Sequence, residues 1–193
     1  TELQANFERE QATLRAAQQT HANAAAEVLA LTRQQTRLEH AFSQRTGYAH
    51  GAKVVLRSGH PDVIAAVGDL LDIPDAYRAA ITSALGRRAE NIVIGQSAAA
   101  AAILQDVRRA GGYATLLPLD LLHPSKPTAP PFAHEQGVIG LASELVHVAD
   151  TYQVVTWQLL GRTVIVETLE QATDLAKRFV RRPRLVTLTG DII

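Results

Sequence analysis

Apolar residues recur at alternating spacings of three and four through the first 46 residues. With heptad d positions from Leu3 to Leu38 and a positions from Phe7 to Phe42, nine of the twelve positions are apolar. This period is typical of a coiled coil, and the lack of Gly and Pro favours an unbroken helix. We predict a coiled-coil helix over 1–46 that requires a partner helix. A long amphipathic helix packed on a globular body is the alternative.

After Gly47 the pattern changes to short β-branched runs that alternate with helical ones. The predicted elements are a helix over 76–85, a strand over 92–94, a helix from about 97 to 110 and a strand over 113–117. Gly86 is expected to end the first helix, and Ser97 is expected to cap the second. This alternation predicts an α/β fold of mixed α+β layers.

The last third of the chain repeats this arrangement. Residues 143–161 align with residues 68–86 without a gap at an offset of 75, so that Asp150-Thr-Tyr falls on Asp75-Ala-Tyr and Leu160-Gly-Arg falls on Leu85-Gly-Arg. A three-residue deletion then places 164–166 on 92–94, residues 184–188 fall near 113–117, and Asp191 falls on Asp120. The sequence therefore predicts two pseudo-repeated subdomains preceded by the long coiled-coil helix. The predicted boundaries are 1–46 for the helix, 47–120 and 137–193 for the subdomains, and 121–136 for a proline-rich linker.

Six stretches carry a family resemblance: VGDLLDIPDAY (67–77), AAITSALG (79–86), AENIVI (89–94), YATLLPLD (113–120), GVIGLASELV (137–146) and LVTLTGD (185–191). In this order, after a coiled-coil pattern, they resemble the hinge of bacterial-type structural maintenance of chromosomes (SMC) proteins. The resemblance covers about residues 47–191.

The resemblance implies a fold and a role. It implies two subdomains that form a homodimer, as a ring or half-ring, and join two long antiparallel coiled coils that end in ATPase heads. The N-terminal helix would then pair with a returning helix, and the parent protein would organise and segregate chromosomes in the cytoplasm, at the nucleoid. The family has a glycine-rich segment after the position of Asp191 that contributes to the interface. Since position 1 is Thr, we expect the sequence to be a piece of a longer chain.

The expected dimer contact is an unpaired strand edge in each half that completes a sheet across two copies. The edge candidates are residues 113–117 and 185–188, and Gly111-Gly112 would permit close backbone approach. The predicted interface residues are Gly111, Gly112, Tyr113, Ala114, Thr115, Leu185, Val186 and Thr187.

Charge adds a second hypothesis. The 19 basic and 19 acidic residues cancel, yet arginine greatly outnumbers lysine and recurs in pairs. Arginine clusters bind nucleic acid phosphates without reading sequence, although cations at helix ends also favour the helix dipole. We predict weak, non-specific DNA contact, and a primarily DNA-binding module is a rival reading. The candidate residues are Lys53, Arg57, Arg87, Arg88, Arg108, Arg109, Lys177, Arg178, Arg181, Arg182 and Arg184.

Catalytic patterns are weak. The chain has no cysteine, which excludes disulfides, thiol nucleophiles and cysteine metal sites. It has no phosphate-binding P-loop motif, and Ala99 replaces the second glycine that a nucleophile elbow around Ser97 would need. We expect no cofactor, no metal and no membrane span, with Tyr152 and Trp157 packed in the core. A small-molecule enzyme with a cleft between the halves is the remaining rival.

Overall fold

The computed structural model describes residues 4, 15, 18–33, 48–179 and 182–193. The chain divides into two units, Thr1–Gly47 and Tyr48–Ile193. In the first unit, residues 18–33 form a helix, α1, whose side chains are all exposed. Four of the twelve heptad positions lie in α1, and the other eight lie outside the described residues. The coiled coil therefore stays a prediction.

The second unit contains two three-stranded sheets, one in each repeat. In the first half the strands are β1 (Val63–Ala66), β2 (Ile92–Ile94) and β3 (Leu116–Pro118), and the helices are α2 (His50–Arg57), α3 (Val67–Leu70), α4 (Arg78–Leu85) and α5 (Ala100–Arg109). In the second half the strands are β4 (Val138–Leu141), β5 (Thr163–Val166) and β6 (Arg184–Thr187), and the helices are α6 (Gln153–Leu160) and α7 (Leu169–Arg178). The predicted order of strand, helix, strand, helix, strand thus occurs twice.

The two sheets have the same topology. In each, the middle strand pairs antiparallel with the first strand and parallel with the third. The first ladder of each sheet also has a register shift at the same place, between Val63 and Ala65 and between Val138 and Gly140. These positions differ by 75, so the offset read from the sequence extends to the strands.

Equivalent residues meet where the halves join. Asp72 and His147 are related by the offset of 75 and form an antiparallel bridge, in which each backbone N–H donates to the other residue's carbonyl, at 2.9 and 2.8 Å. A residue that pairs with its own counterpart lies on a twofold axis. The second unit, Tyr48–Ile193, which we call the body, therefore has pseudo-twofold symmetry, as the repeat predicts.

A shared core lies across this axis. The same four positions are buried in the two equivalent helices: Ala80, Ile81, Ala84 and Leu85 in α4, and Val155, Thr156, Leu159 and Leu160 in α6. The middle strands are buried on both faces. Val93 and Ile165 point into the shared core, whereas their neighbours on either side contribute to a separate cluster within their own half. This alternation explains why β2 and β5 are apolar at nearly every position. Because the halves share a core, the subdomain boundaries within Tyr48–Ile193 stay a prediction.

Three details differ from the sequence predictions. A 3₁₀ turn, Ser97–Ala99, precedes α5, and Ser97 does not cap that helix. Instead its N–H and hydroxyl donate to the Asp120 carboxylate, at 2.9 and 2.7 Å. Strand β3 begins at Leu116, three residues later than predicted. The strand register also aligns Leu185 with Leu116, because these residues pair with Val164 and Ile92 respectively. The alignment of 184–188 with 113–117 is therefore wrong by two residues.

Candidate functional site

The first half presents the edge of its sheet at β3. Gly111, with φ of +72°, ends α5, and Gly112 lies against α2, where an added Cβ would be 3.0 Å from the Gly51 Cα. Gly112 thus permits a close approach between its backbone and that of α2 in the same chain, and not the approach of a second copy that the sequence suggested. Beyond them Tyr113 is 74 % exposed, and Thr115 is also exposed.

Backbone groups of β3 face the open side of the sheet. The Thr115 carbonyl accepts from Ile92 N–H, at 2.9 Å, and so faces inward. Successive carbonyls alternate along a strand, which directs that of Leu116 outward. Since β3 is an outer strand, the outward-facing backbone groups at Leu116 are available for pairing with another chain.

The second half closes the corresponding edge, so the expectation of an unpaired strand at 185–188 is wrong. Leu185, Val186 and Thr187 are fully buried. The backbones of Leu185 and Ile193 exchange two hydrogen bonds, of 3.1 and 3.0 Å, and Thr187 N–H donates to the Asp191 carbonyl at 2.9 Å. The segment 191–193 therefore forms the outer row of this sheet. Because Val186 and Ile192 are the pair between those bonds, the backbone groups of Ile192 face outward.

A threonine–aspartate network shapes this outer row. The hydroxyls of Thr187 and Thr189 donate to the Asp191 carboxylate, at 2.9 and 2.7 Å, and the Asp191 N–H donates to Thr187 Oγ1. The bonds from Thr189 and then Thr187 lower the pKa of Asp191. Gly190, with φ of +96°, lies so close to α4 of the first half that an added Cβ would be 2.5 Å from Ser83 Oγ. The turn that carries the outer row is thus fixed against the other half.

The start of the body is fixed by two polar contacts that sequence reasoning missed. Tyr48 Oη donates to Asp69 Oδ1 at 2.8 Å, and Ala49 N–H donates to Glu90 Oε2 at 2.8 Å. Ala49 is the N-cap of α2, which has no acid in its first turn. Glu90 therefore supplies from a distant position the negative charge that favours a helix start.

Two of the candidate DNA-binding arginines hold the halves together. The Arg88 guanidinium donates to Leu85 and Leu159 carbonyls, at 3.3 and 3.2 Å, and to the Ala84 carbonyl, which also accepts from Arg184 at 3.1 Å. Burial, followed by the charge of Arg184, lowers the pKa of Arg88. These side chains satisfy carbonyls at the ends of α4 and α6. No sequence signal distinguishes them from surface arginines.

The other basic candidates are dispersed. Arg109 pairs with Asp106 at 3.2 Å, and Arg178 pairs with Glu135 and Asp174. Arg181 lies outside the described residues. Arg108 and Lys177 are exposed and occupy equivalent positions, because α5 and α7 are both ten residues long and each ends one residue later. Cations at these two helix ends are therefore repeated across the pseudo-twofold axis.

Side chains that could bind a metal ion do not cluster in the part of the chain that the structure describes. Within it, no group of three His, Cys, Asp or Glu side chains could hold a metal ion. Hydrogen bonds from the Ser97 hydroxyl and N–H lower the pKa of Asp120, which makes this carboxylate a weaker base. Across the described ranges we find no helix with the length and apolar character needed to span a bilayer.

The chain is similar in sequence to a known domain family and to curated proteins. A family model, SMC proteins Flexible Hinge Domain, matches residues 60–176. The chromosome partition protein Smc of Halothermothrix orenii is 34% identical in an alignment 155 residues long, which covers 76% of this chain and 13% of that protein. The chain thus spans about one eighth of this curated relative.

Solved structures share the fold over most of the chain. An asymmetric dimer of the Geobacillus stearothermophilus SMC hinge domain matches with a TM-score of 0.77 and 32% identity, and covers 98% of this chain and 75% of that one. The Pyrococcus furiosus SMC hinge domain matches with a TM-score of 0.60 and 26% identity, over 79% of this chain and 84% of that one.

Proposed function

The chain belongs to the family of SMC hinge domains, and from this premise we propose that it joins two copies of itself through the edges of their sheets. The observation that carries the proposal is the pair of outward-facing rows at Leu116 in the first half and at Ile192 in the second. If the first half of each copy pairs with the second half of its partner, two equal contacts close a dimer. The solved relative from Geobacillus stearothermophilus is itself a dimer.

The same proposal gives the domain a mechanical role, not a catalytic one. The predicted interface residues Gly111 to Thr115 lie at or beside the open edge of the first half. Leu185 to Thr187 would contribute indirectly, because their backbone hydrogen bonds hold the outer row 191–193 in place. In the whole protein the dimer would connect two coiled-coil arms, each formed by residues 1–46 and a returning helix. It would work in chromosome partition at the nucleoid, the process named for the curated relatives.

We expect covalent dimers when Thr115 and Ile192 are both replaced by cysteine and the chain is treated with a short bismaleimide. Opposed or diagonal residues on neighbouring strands lie about 5–8 Å apart, within the reach of such a reagent, and both side chains are exposed. The chain has no cysteine of its own, so denaturing electrophoresis would report only the introduced pair.

The matched control replaces Thr115 and Lys177 by cysteine, because Lys177 is exposed on α7 and not on the outer row. We expect sedimentation at tens of micromolar to show dimers for the unmodified chain. A strictly monomeric species, or equal crosslinking of both cysteine pairs, would contradict pairing through these edges.

Weak DNA contact is a second proposal, supported by the repeated cations Arg108 and Lys177. Replacing both by glutamine should weaken binding to duplex DNA and reduce the slope of log affinity against log salt by about 2, since each phosphate contact contributes about one unit. Fluorescence anisotropy at several salt concentrations measures this slope. The control, Arg78→Gln with Arg109→Gln, makes the same charge change at exposed arginines that are paired with Asp75 and Asp106. Binding that does not depend on salt would refute the proposal.

A further inference from the structure

A pocket of about 750 Å³ lies beside the proline-rich segment of the second half. One wall is formed by residues 124–131, and the opposite wall by Trp157 and Gln158 of α6 together with Gly161 and Arg162. Arg182 and Pro183, just before β6, and Leu141 also line the pocket. This volume is in the range of small-molecule sites.

The segment that forms the wall is anchored at two points. Pro127 packs directly on Gly161, where an added Cβ would lie 2.6 Å from the Pro127 Cγ. Phe132 is buried, and its ring centroid is 4.9 Å from that of Phe179. Since proline also restricts the backbone, the wall is a built part of the fold.

The charge of the pocket is uncompensated. Lys126, Arg162 and Arg182 line it, and the lining contains no Asp or Glu. Within the described ranges, none of the three side chains forms an ion pair, and the Nε of Arg182 is buried without a hydrogen-bond partner. A buried donor without a partner costs desolvation free energy. A bound anion that accepts a hydrogen bond from the Arg182 Nε would remove this cost.

The first half contains a smaller counterpart of this pocket, whose lining includes an acid. The lining of this smaller pocket, of about 340 Å³, includes Arg87, Arg88, Glu90 and Tyr113. Arg87 is equivalent to Arg162 by the offset of 75, and the strand register makes Tyr113 equivalent to Arg182. A hydrogen bond with Tyr113 and the charge of Glu90 raise the pKa of Arg87. In the second half the tyrosine is replaced by arginine.

The acid is lost as well. Glu90 lies between Arg87 and Ile92, in the stretch that the three-residue deletion removes from the second copy. The deletion and the Tyr-to-Arg difference together distinguish the larger pocket, whose lining has no acid, from the smaller one, whose lining includes Glu90. The repeat thus provides an internal comparison in which only the second copy lacks an acid in its pocket lining.

We propose that the pocket beneath residues 124–131 binds a small phosphorylated ligand of the nucleoside-diphosphate class. Lys126, Arg162 and Arg182 would hold the phosphates, because arginine and lysine form charge-assisted hydrogen bonds with phosphate oxygens. Trp157 and the prolines would provide apolar walls for the base. Neither dimerisation nor DNA contact is required for this binding.

Titration with adenosine diphosphate tests the proposal, with fluorescence excited at 295 nm as the readout. Trp157 is the chain's single tryptophan and lines the pocket, so its emission reports on this site. We expect saturable quenching with a Kd of about 1 mM or tighter, reversed by inorganic pyrophosphate. Lys126→Gln and Arg162→Gln, both at exposed side chains, should each weaken binding about tenfold.

Arg87→Gln is the matched control, because it removes the equivalent arginine of the first half, and its affinity should stay within about twofold. Circular dichroism would verify that each variant is folded. Lack of saturable quenching, or equal loss in Arg87→Gln and Arg162→Gln, would overturn the proposal. Competition by a thymidine 20-mer far below the concentration needed for the diphosphate would also overturn it, since the pocket would then belong to a nucleic-acid surface.

Discussion

Replacing Gly51 with alanine will lower the free energy of unfolding of the unit Tyr48–Ile193 by about 2–3 kcal/mol. An added Cβ would lie 2.0 Å from the Tyr113 carbonyl oxygen and 2.5 Å from its carbon. Both atoms are backbone, so α2 and the approach to β3 would have to separate. Alanine favours a helix over glycine by about 1 kcal/mol, and the clash must exceed this gain.

The control is Gly59→Ala. An added Cβ at Gly59 meets nothing within 4 Å, and the residue has a φ of +66°, so we expect only the left-handed backbone cost of about 1 kcal/mol. Urea unfolding followed by circular dichroism measures both variants. Equal losses would show that the contact between α2 and Tyr113 is not as close as described. The substitution also tests the dimer proposal, because it displaces the edge at 113–118 without altering its side chains.

Truncating Leu160 to alanine will destabilise both halves together by about 3 kcal/mol, the cost of a cavity in a packed core. Leu160 is fully buried in the cluster that combines α4, α6 and the middle strand of each sheet. Since the halves share this cluster, we expect one cooperative transition. Trp157 fluorescence, which reports on the second half, and far-UV circular dichroism, which reports on the whole body, should give the same midpoint.

Leu169→Ala is the control, because Leu169 is a leucine of the same half that is 47 % exposed, and its loss should stay within about 0.5 kcal/mol. If the Leu160 variant lowered the fluorescence midpoint and left a second, unchanged transition in circular dichroism, the halves would be independent domains. That result would favour the predicted boundaries at 120 and 137 over a single folding unit.

The sequence predicts the repeat well where landmarks fix the alignment. The offset of 75 holds for β1 and β4, for α4 and α6, and for the bridge between Asp72 and His147. Past the deletion, matching Asp191 to Asp120 gives an offset of 71, whereas the strand register aligns Leu185 with Leu116 at an offset of 69, so the alignment at β6 slips by two residues. A shift of two keeps the same side chains on the same face of a strand, so hydrophobic pattern alone cannot detect it.

Tertiary competition accounts for other differences. Ser97 is at a position where a helix cap is expected. Its hydroxyl and its N–H donate hydrogen bonds instead to the carboxylate of Asp120, more than 20 residues later. Residues 191–193 are too few to show a strand period, so their pairing with β6 has no sequence signal. Arg88 and Arg184 resemble surface cations because the carbonyls they bind across the two halves are distant in sequence: Leu159 is 71 residues from Arg88, and Ala84 is 100 residues from Arg184. The candidate edge in the first half could be inferred from sequence, whereas its counterpart and the pocket required coordinates.

The bridge between Asp72 and His147 has a consequence for how this body arose. Pairing of a residue with its own counterpart is the contact expected in an isologous homodimer, and here the two equivalent halves are linked by residues 121–136. In a true homodimer, every substitution near the axis occurs twice. Once the copies share one chain, each half can change alone. One copy can therefore have an acid and a tyrosine where the other has neither and has an arginine instead, and the body has two different faces where a homodimer would have two identical ones.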